Sequence, residues 1–252
     1  MFRHLYPVNA LYQSACRKTI SYCDRFRYVI NAKQKNERIA SQRAYWDAQY
    51  KVDPEFFGVE ESQFVNWSLP LLRSSNSKSV LELGSGYGRD LLFLQKQGFE
   101  VTGVELSAEG VRRARQRLHG MKVRLFESDA ISFLREQCDC AYDAVYSNLF
   151  LNMHFTHDEH LSLFSEISRV IKTGGVHLFS VRSKEDKWYG KGRKVAEDTF
   201  DHSPSGSTLV YFSPESIASV TPPALHTQLR EEKKEGEGDF PICVYYVLQL
   251  KL

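Results

Sequence analysis

The chain has 252 residues, 42% apolar and 25% charged, enough for one large globular domain or one domain with an appendage. Its longest apolar runs are strand-sized, short of the roughly 18 to 20 residues that a spanning helix requires, so no membrane partner is expected. Its five cysteines, Cys16, Cys23, Cys138, Cys140 and Cys243, are odd in number and scattered, which argues against a disulfide framework or a four-ligand zinc site and points to reduced thiols in the cytoplasm. The Cys138-Asp139-Cys140 pair lacks a third soft ligand nearby, and no metal is expected.

In chain order, the net charge of +2 conceals an asymmetry: residues 1–43 carry nine Lys/Arg against two acids, leaving the remainder at −5. This basic stretch reads as a helical extension whose charges stay solvated. Two alternatives are an organelle-targeting peptide and a nucleic-acid arm using Tyr22, Phe26 and Tyr28. From residue 60 onward strand-like and helix-like segments alternate, the pattern of an α/β sheet with helices on both faces. "SVLELG" (79–84) reads as the first strand and "RDLLFLQKQG" as a helix closed by Gly98. "EVTGVEL" is the second strand, and Ser107 caps the next helix. "KVRLFESD" and "YDAVYSNL" are the third and fourth strands. Thr156 and Glu159 form a capping box before a helix whose expected buried stripe is Leu161, Phe164, Ile167 and Ile171, and "GGVHLFSV" follows as the fifth strand. After a short helix opened by Ser213-Pro214, "LHTQLREEKK" and "PICVYYVLQLKL" form a C-terminal hairpin.

The chemistry concentrates in "SVLELGSGYGRDLLFLQKQGFEVTGVELS" (79–107). Gly84, Gly86 and Gly88 follow the first strand, but the third position of a dinucleotide fingerprint is held by Arg89. Glu105, at the tip of the second strand, is placed to accept both hydroxyls of a ribose and is expected to face solvent when the site is empty. Asp129, after the third strand, suits an adenine amine, and Asn148 ends the fourth. Together these ask for an adenosine-bearing cofactor at the carboxyl edge of the sheet.

On these segments residues 60–252 resemble a class I S-adenosylmethionine-dependent methyltransferase: "LELGSGYGRD", "VTGVELS", "FESDA", "YDAVYSNLF" and "EISRVIKTGGVHLFSV" are similar to its successive motifs. The resemblance implies a Rossmann-like seven-stranded sheet, mostly parallel with one antiparallel strand from the C-terminal hairpin, in the order 3-2-1-4-5-7-6, with helices on both faces. It implies S-adenosyl-L-methionine as cofactor, held by Glu82, Gly84, Ser85, Gly86, Gly88, Arg89, Glu105, Leu106, Asp129, Ala130 and Asn148. A narrower resemblance, to the tellurite-resistance and thiopurine group of small-molecule methyltransferases, is carried by "GYGRDLLFLQKQGFEVTGVELSAEGVRRA", by "VRSKEDKWYGKG" with "EDTF" and "LVYFSPESI", and by "YWDAQYKVDPEFFGVEES" (45–62).

That resemblance divides the chain into a basic extension (1–43) and a methyltransferase domain (44–252) whose segment 44–62 forms a lid with Trp46, Tyr50 and Phe57. Tyr87, Arg182 and Tyr189 are expected to shape the substrate pocket, with Arg182 facing a substrate carboxylate or Asp186. Methyl transfer from a sulfonium needs alignment and water exclusion more than a base. No catalytic residue is assigned, and His154 is the candidate base for a hydroxyl or protonated amine. The expected acceptor is a small-molecule S, N, O or chalcogen nucleophile. A protein or RNA methyltransferase and a non-catalytic adenosyl-binding scaffold are the alternatives, the former disfavoured because the fourth strand ends "SNLF" and lacks an Asn-Pro-Pro-aromatic motif. Oligomeric state is not legible.

Overall fold

The computed structural model describes residues 22–202, 206–236 and 241–252, with side chains from residue 33 onward. Residues 1–21 of the basic extension lie outside the described part. Two compact units divide between Ile39 and Ala40. Helix α1 (Tyr22–Val52) contributes to each, and the expected boundary at 43/44 falls within it. In the first unit Lys33 and Glu37 form an i,i+4 pair at 3.9 Å.

The second unit alternates as the sequence predicts. After α2 (Gln63–Ser74) come β1 (Ser79–Leu83), α3 (Arg89–Lys96), β2 (Glu100–Glu105), α4 (Ala108–Arg117), β3 (Val123–Glu127), α5 (Ala130–Glu136), β4 (Tyr142–Asn148), α6 (His157–Val170) and β5 (Ile171–Arg182). Then follow β6 (Arg193–Ala196), β7 (Thr199–Asp201), β8 (Thr208–Val210), α7 (Pro214–Val220), β9 (Leu225–Glu235) and β10 (Ile242–Lys251). Seven strands form one sheet in the order β3-β2-β1-β4-β5-β10-β9, with only β10 running against the rest. This is the expected 3-2-1-4-5-7-6 arrangement.

The two-residue period of β1 explains how both faces fill. Leu81 and Leu83 point into one core with Val145, Phe164 and Phe179, while Val80 points into the other with Phe64, Leu91, Tyr146 and Leu178. The short βα connections leave every parallel strand pointing its carboxyl end at the same edge, which is where the glycine loop, Glu105 and Asn148 gather.

Ser107, Thr156 and Ser213 cap α4, α6 and α7 as expected, the last two through full capping boxes. The expected stripe of α6 is corrected at two positions. Leu161 is 40% exposed, and Ile171, though buried, begins β5. The interior row is His160, Leu163, Phe164, Ile167 and Val170. His160 enters it because its Nε2 meets the Leu151 carbonyl at 2.7 Å, which makes a polar residue affordable inside and turns its neighbour Leu161 outward. The sequence reading also missed the short α2 and α5 and the antiparallel sheet β6-β7-β8 inserted after β5.

Candidate active site

The loop between β1 and α3 is bent by three glycines in the left-handed region, Gly84 (φ 72°), Gly86 (φ 54°) and Gly88 (φ 77°). L-residues pay about 1–2 kcal/mol to adopt that backbone. A side chain would also collide: a Cβ on Gly86 would lie 2.9 Å from the Tyr50 hydroxyl, and one on Gly84 would lie 2.6 Å from the Phe150 ring. Gly84 and Ser85 N–H groups bond the Val104 carbonyl at 2.8 and 3.0 Å, tying the loop to β2.

Glu105 corrects one expectation. It is 6% exposed, not solvent-facing, because its carboxylate accepts from the Gly86 N–H at 2.8 Å and the Ser107 N–H at 2.7 Å. Burial raises its pKa, and the N–H groups of Ser107, Gly86 and Leu106 oppose that rise. Glu82 lies beneath the loop, buried, with one carboxylate oxygen lacking a hydrogen-bond partner, and the Ser85 hydroxyl is likewise unpartnered. Desolvation and the neighbouring Asp90 push the Glu82 pKa well up. Asp90 itself accepts from the Ser62 N–H and hydroxyl and the Tyr146 hydroxyl at 2.6–2.9 Å. Arg89 reaches the Phe57 carbonyl and stands 3.5 Å from Asp90. Asp129 caps α5, accepting from the Ser132 N–H at 3.0 Å, and Ala130 opens that helix, buried beside it. The Asn148 side-chain oxygen accepts from Ser180 at 2.5 Å.

The segment 44–62 does lie against this loop. Trp46 stacks on Tyr50 at 5.5 Å and meets Phe57 at 6.0 Å, while Tyr50 is 4% exposed and edge-on to Tyr87 at 5.7 Å. Tyr87, expected in the substrate pocket, is engaged with the segment itself: its hydroxyl accepts from the Phe57 N–H at 3.0 Å and donates to the Gly58 carbonyl at 2.8 Å. Asp47, which the sequence reading passed over, binds the Ser107 hydroxyl at 2.6 Å and the Glu109 N–H at 3.0 Å, the favourable place for an acid at the start of α4. The neighbouring Trp46 and Tyr50 were its only signal.

On the other side, Arg182 pairs with Asp186 at 3.0 Å, and Tyr189 donates to Asp198 at 2.7 Å. His154 sits in the loop after β4, where its carbonyl accepts from Gln42 at 3.1 Å. The structure also brings His202 and Tyr211 to this end, a pair no sequence spacing marked.

The orphaned polar atoms of Glu82 and Ser85, the side-chain-free glycine cradle and the Glu105 carboxylate fit an adenosyl ligand carrying hydroxyls and an ammonium group. Residues 80–175 match the family described as "Methyltransferase domain". That stretch of the chain has the sequence of a methyltransferase domain. The domain is similar to a putative methyltransferase, YqeM, of Bacillus subtilis, at 32% identity over 111 residues, 41% of this chain and 42% of that one. It is also similar to a 23S rRNA (uracil(747)-C(5))-methyltransferase of Pyrococcus abyssi, at 29% identity over 64% of this chain and 40% of that one. The chain thus spans about two fifths of the length of these relatives. In fold it resembles the 1,6-didemethyltoxoflavin-N1-methyltransferase of Burkholderia thailandensis, solved with its substrate and S-adenosylhomocysteine, at a TM-score of 0.64 and 19% identity over 86% of this chain and 89% of that one. The fold is that of the class I S-adenosylmethionine-dependent methyltransferases. Among the described residues no helix is long and apolar enough to cross a membrane.

Proposed function

We propose that the chain transfers the methyl group of S-adenosylmethionine to a small-molecule nucleophile by in-line displacement. The observation that carries this reading is the enclosure of the glycine loop: Tyr50, Trp46 and Phe57 cover it from one side, and Glu105 meets Gly86 at its centre. A cleft closed by aromatic side chains suits a compact acceptor and excludes water.

In this reading Glu105 holds the ribose, Gly84 to Gly88 let the backbone approach the donor, and Glu82 with Ser85 faces its ammonium end. Asp129 and Ala130 adjoin the adenine, while Asn148 and the lid aromatics border the reacting centre. The cofactor supplies an already activated methyl group on a positively charged sulfur. The chain's own part is to align the acceptor behind that methyl and to keep water out.

The rRNA-modifying relative keeps a macromolecular acceptor as the contrasting outcome. Tritiated methyl transfer into a cell extract, separated by size, distinguishes them. Label in the small-molecule fraction is expected, and label confined to RNA or protein overturns the assignment.

A further inference from the structure

Beyond β4 the carboxyl edge of the sheet is roofed by the inserted β6-β7-β8 segment. β8 runs into Tyr211 and Phe212, and the residues on either side of Tyr211 bond back to the end of β5 and to the loop after β4, while the Tyr211 N–H donates to the Asp198 carbonyl at 2.9 Å. The Phe212 N–H donates to the Arg182 carbonyl at 2.8 Å, and the Val210 N–H donates to the Asn152 carbonyl at 2.8 Å. Tyr211 is therefore held over the ends of β4 and β5, on the opposite side of β1 from Glu105. Tyr189, Phe200 and His202 stand around it with ring centroids 5.4–6.1 Å apart. Trp188 lies 6.2 Å from His202. Within this aromatic group the Tyr211 hydroxyl and His202 Nε2 are 2.9 Å apart.

The charges facing the pair come from three elements. Arg182 ends β5, Asp201 ends β7, and Asp186 sits in the loop between β5 and β6, fixed by Arg182 and by the N–H groups of Trp188 and Cys243 at 2.8 and 2.9 Å. Burial, then the Arg182 charge, lower the His202 pKa, and burial pushes Tyr211 up to about 12. At neutral pH the imidazole is uncharged and the phenol keeps its proton, the states needed for passing a proton from one to the other.

We propose that Tyr211, acting with His202, takes the proton from a methyl acceptor that attacks through an O–H or N–H group on an aromatic ring. This rests on the methyl-transfer reading and narrows its acceptor class. The acceptor's lone pair forms a bond to the methyl carbon as the carbon–sulfur bond breaks and its electron pair goes to sulfur. The acceptor's proton passes to the Tyr211 oxygen while the Tyr211 proton moves to His202 Nε2. The positive charge that began on the sulfonium ends on the imidazolium, which releases its proton to water. Trp188, 42% exposed beside His202, and the half-buried Tyr189 give such an acceptor flat faces to pack against, with the buried Phe200 backing the group. A thiolate would need none of this, since it carries no proton to lose.

The test compares the full-length wild-type chain with His202→Gln and Tyr211→Phe. Initial rates of tritium transfer from labelled S-adenosylmethionine to the extract's small-molecule fraction are followed from pH 5.5 to 9, and S-adenosylhomocysteine binding is measured in parallel by calorimetry. The wild-type rate is expected to fall on the acid side. His202→Gln is expected to lose about 100-fold or more and that acid limb, with S-adenosylhomocysteine affinity kept within about twofold. Tyr211→Phe, which removes one oxygen and keeps the ring, is expected to lose rate in the same way, and it decides the matter if the His202 variant does not fold. Rates within about threefold of wild type, or an unchanged acid limb, overturn the proposal. Label appearing only in macromolecules overturns the small-acceptor reading alone, and the same variants then decide the proton relay on that product. No transfer by the wild-type chain overturns both.

Discussion

The Glu105 carboxylate accepts from the Gly86 N–H at 2.8 Å, so the acid at the tip of β2 holds the centre of the glycine loop in place. It also accepts from Ser107 at 2.7 Å. Glu105→Ala is therefore predicted to strand two buried donors and to lower stability by about 1–3 kcal/mol. Glu105→Gln, which keeps one acceptor oxygen, should recover about half of that. Urea unfolding of the three proteins checks the order, and equal midpoints would contradict it.

The Tyr87 hydroxyl fastens the segment 53–59, since it bonds both Phe57 and Gly58. Removing it in Tyr87→Phe leaves a backbone N–H and C=O to water. The predicted effect is about 1 kcal/mol of local stability with little global change. Hydrogen exchange should show faster opening of residues 55–59 while β1 and β4 stay protected. Unchanged exchange there would show that Arg89 and Arg117, which bond the Phe57 and Val59 carbonyls, hold the segment without Tyr87.

His177 on β5 is fully buried, with Nδ1 3.0 Å from the side-chain oxygen of Gln249 on the paired strand β10 and Nε2 unpartnered. Burial lowers its pKa from 6.5 to about 4. The unfolded chain thus binds a proton that the folded chain refuses as pH falls from about 6.5 to about 4, and stability falls over that window by up to about 3 kcal/mol. His177→Gln is predicted to flatten that part of the pH dependence. Wild type and variant losing stability in parallel between pH 7 and 5 would refute this role, since His160, also lowered by burial, is common to both.

Gly86→Ala places a methyl 2.9 Å from the Tyr50 hydroxyl at a φ of 54°. It is predicted to displace Tyr50 at a cost of about 1–3 kcal/mol. Near-ultraviolet circular dichroism should report the changed Trp46–Tyr50 stack, and an unchanged spectrum would be evidence against that packing.

The parts legible in the sequence were those written in local chemistry. Glycines at 84, 86 and 88 announce a turn only they can make, Ser107 and Thr156 announce helix starts, and alternation announces strands. What stayed hidden depends on contacts between distant residues. His160 is interior only because the Leu151 carbonyl meets it. Glu105 is buried only because Gly86 and Ser107 turn their N–H groups inward. The β6-β7-β8 insert has strands of three or four residues, too short to show a period. His202 and Tyr211 meet across that insert, and nothing in either residue's neighbourhood along the chain signals the other.

The question posed by the glycine loop is whether it serves an adenosyl methyl donor or a dinucleotide, and calorimetry of the full-length chain answers it most directly. The account predicts one S-adenosylhomocysteine bound per chain, no heat with NAD, and a loss of about 2–4 kcal/mol in S-adenosylhomocysteine affinity for Glu105→Gln, whose amide is a poorer partner for two ribose hydroxyls. Binding of NAD, absence of S-adenosylhomocysteine binding, or unchanged affinity in the variant would contradict it.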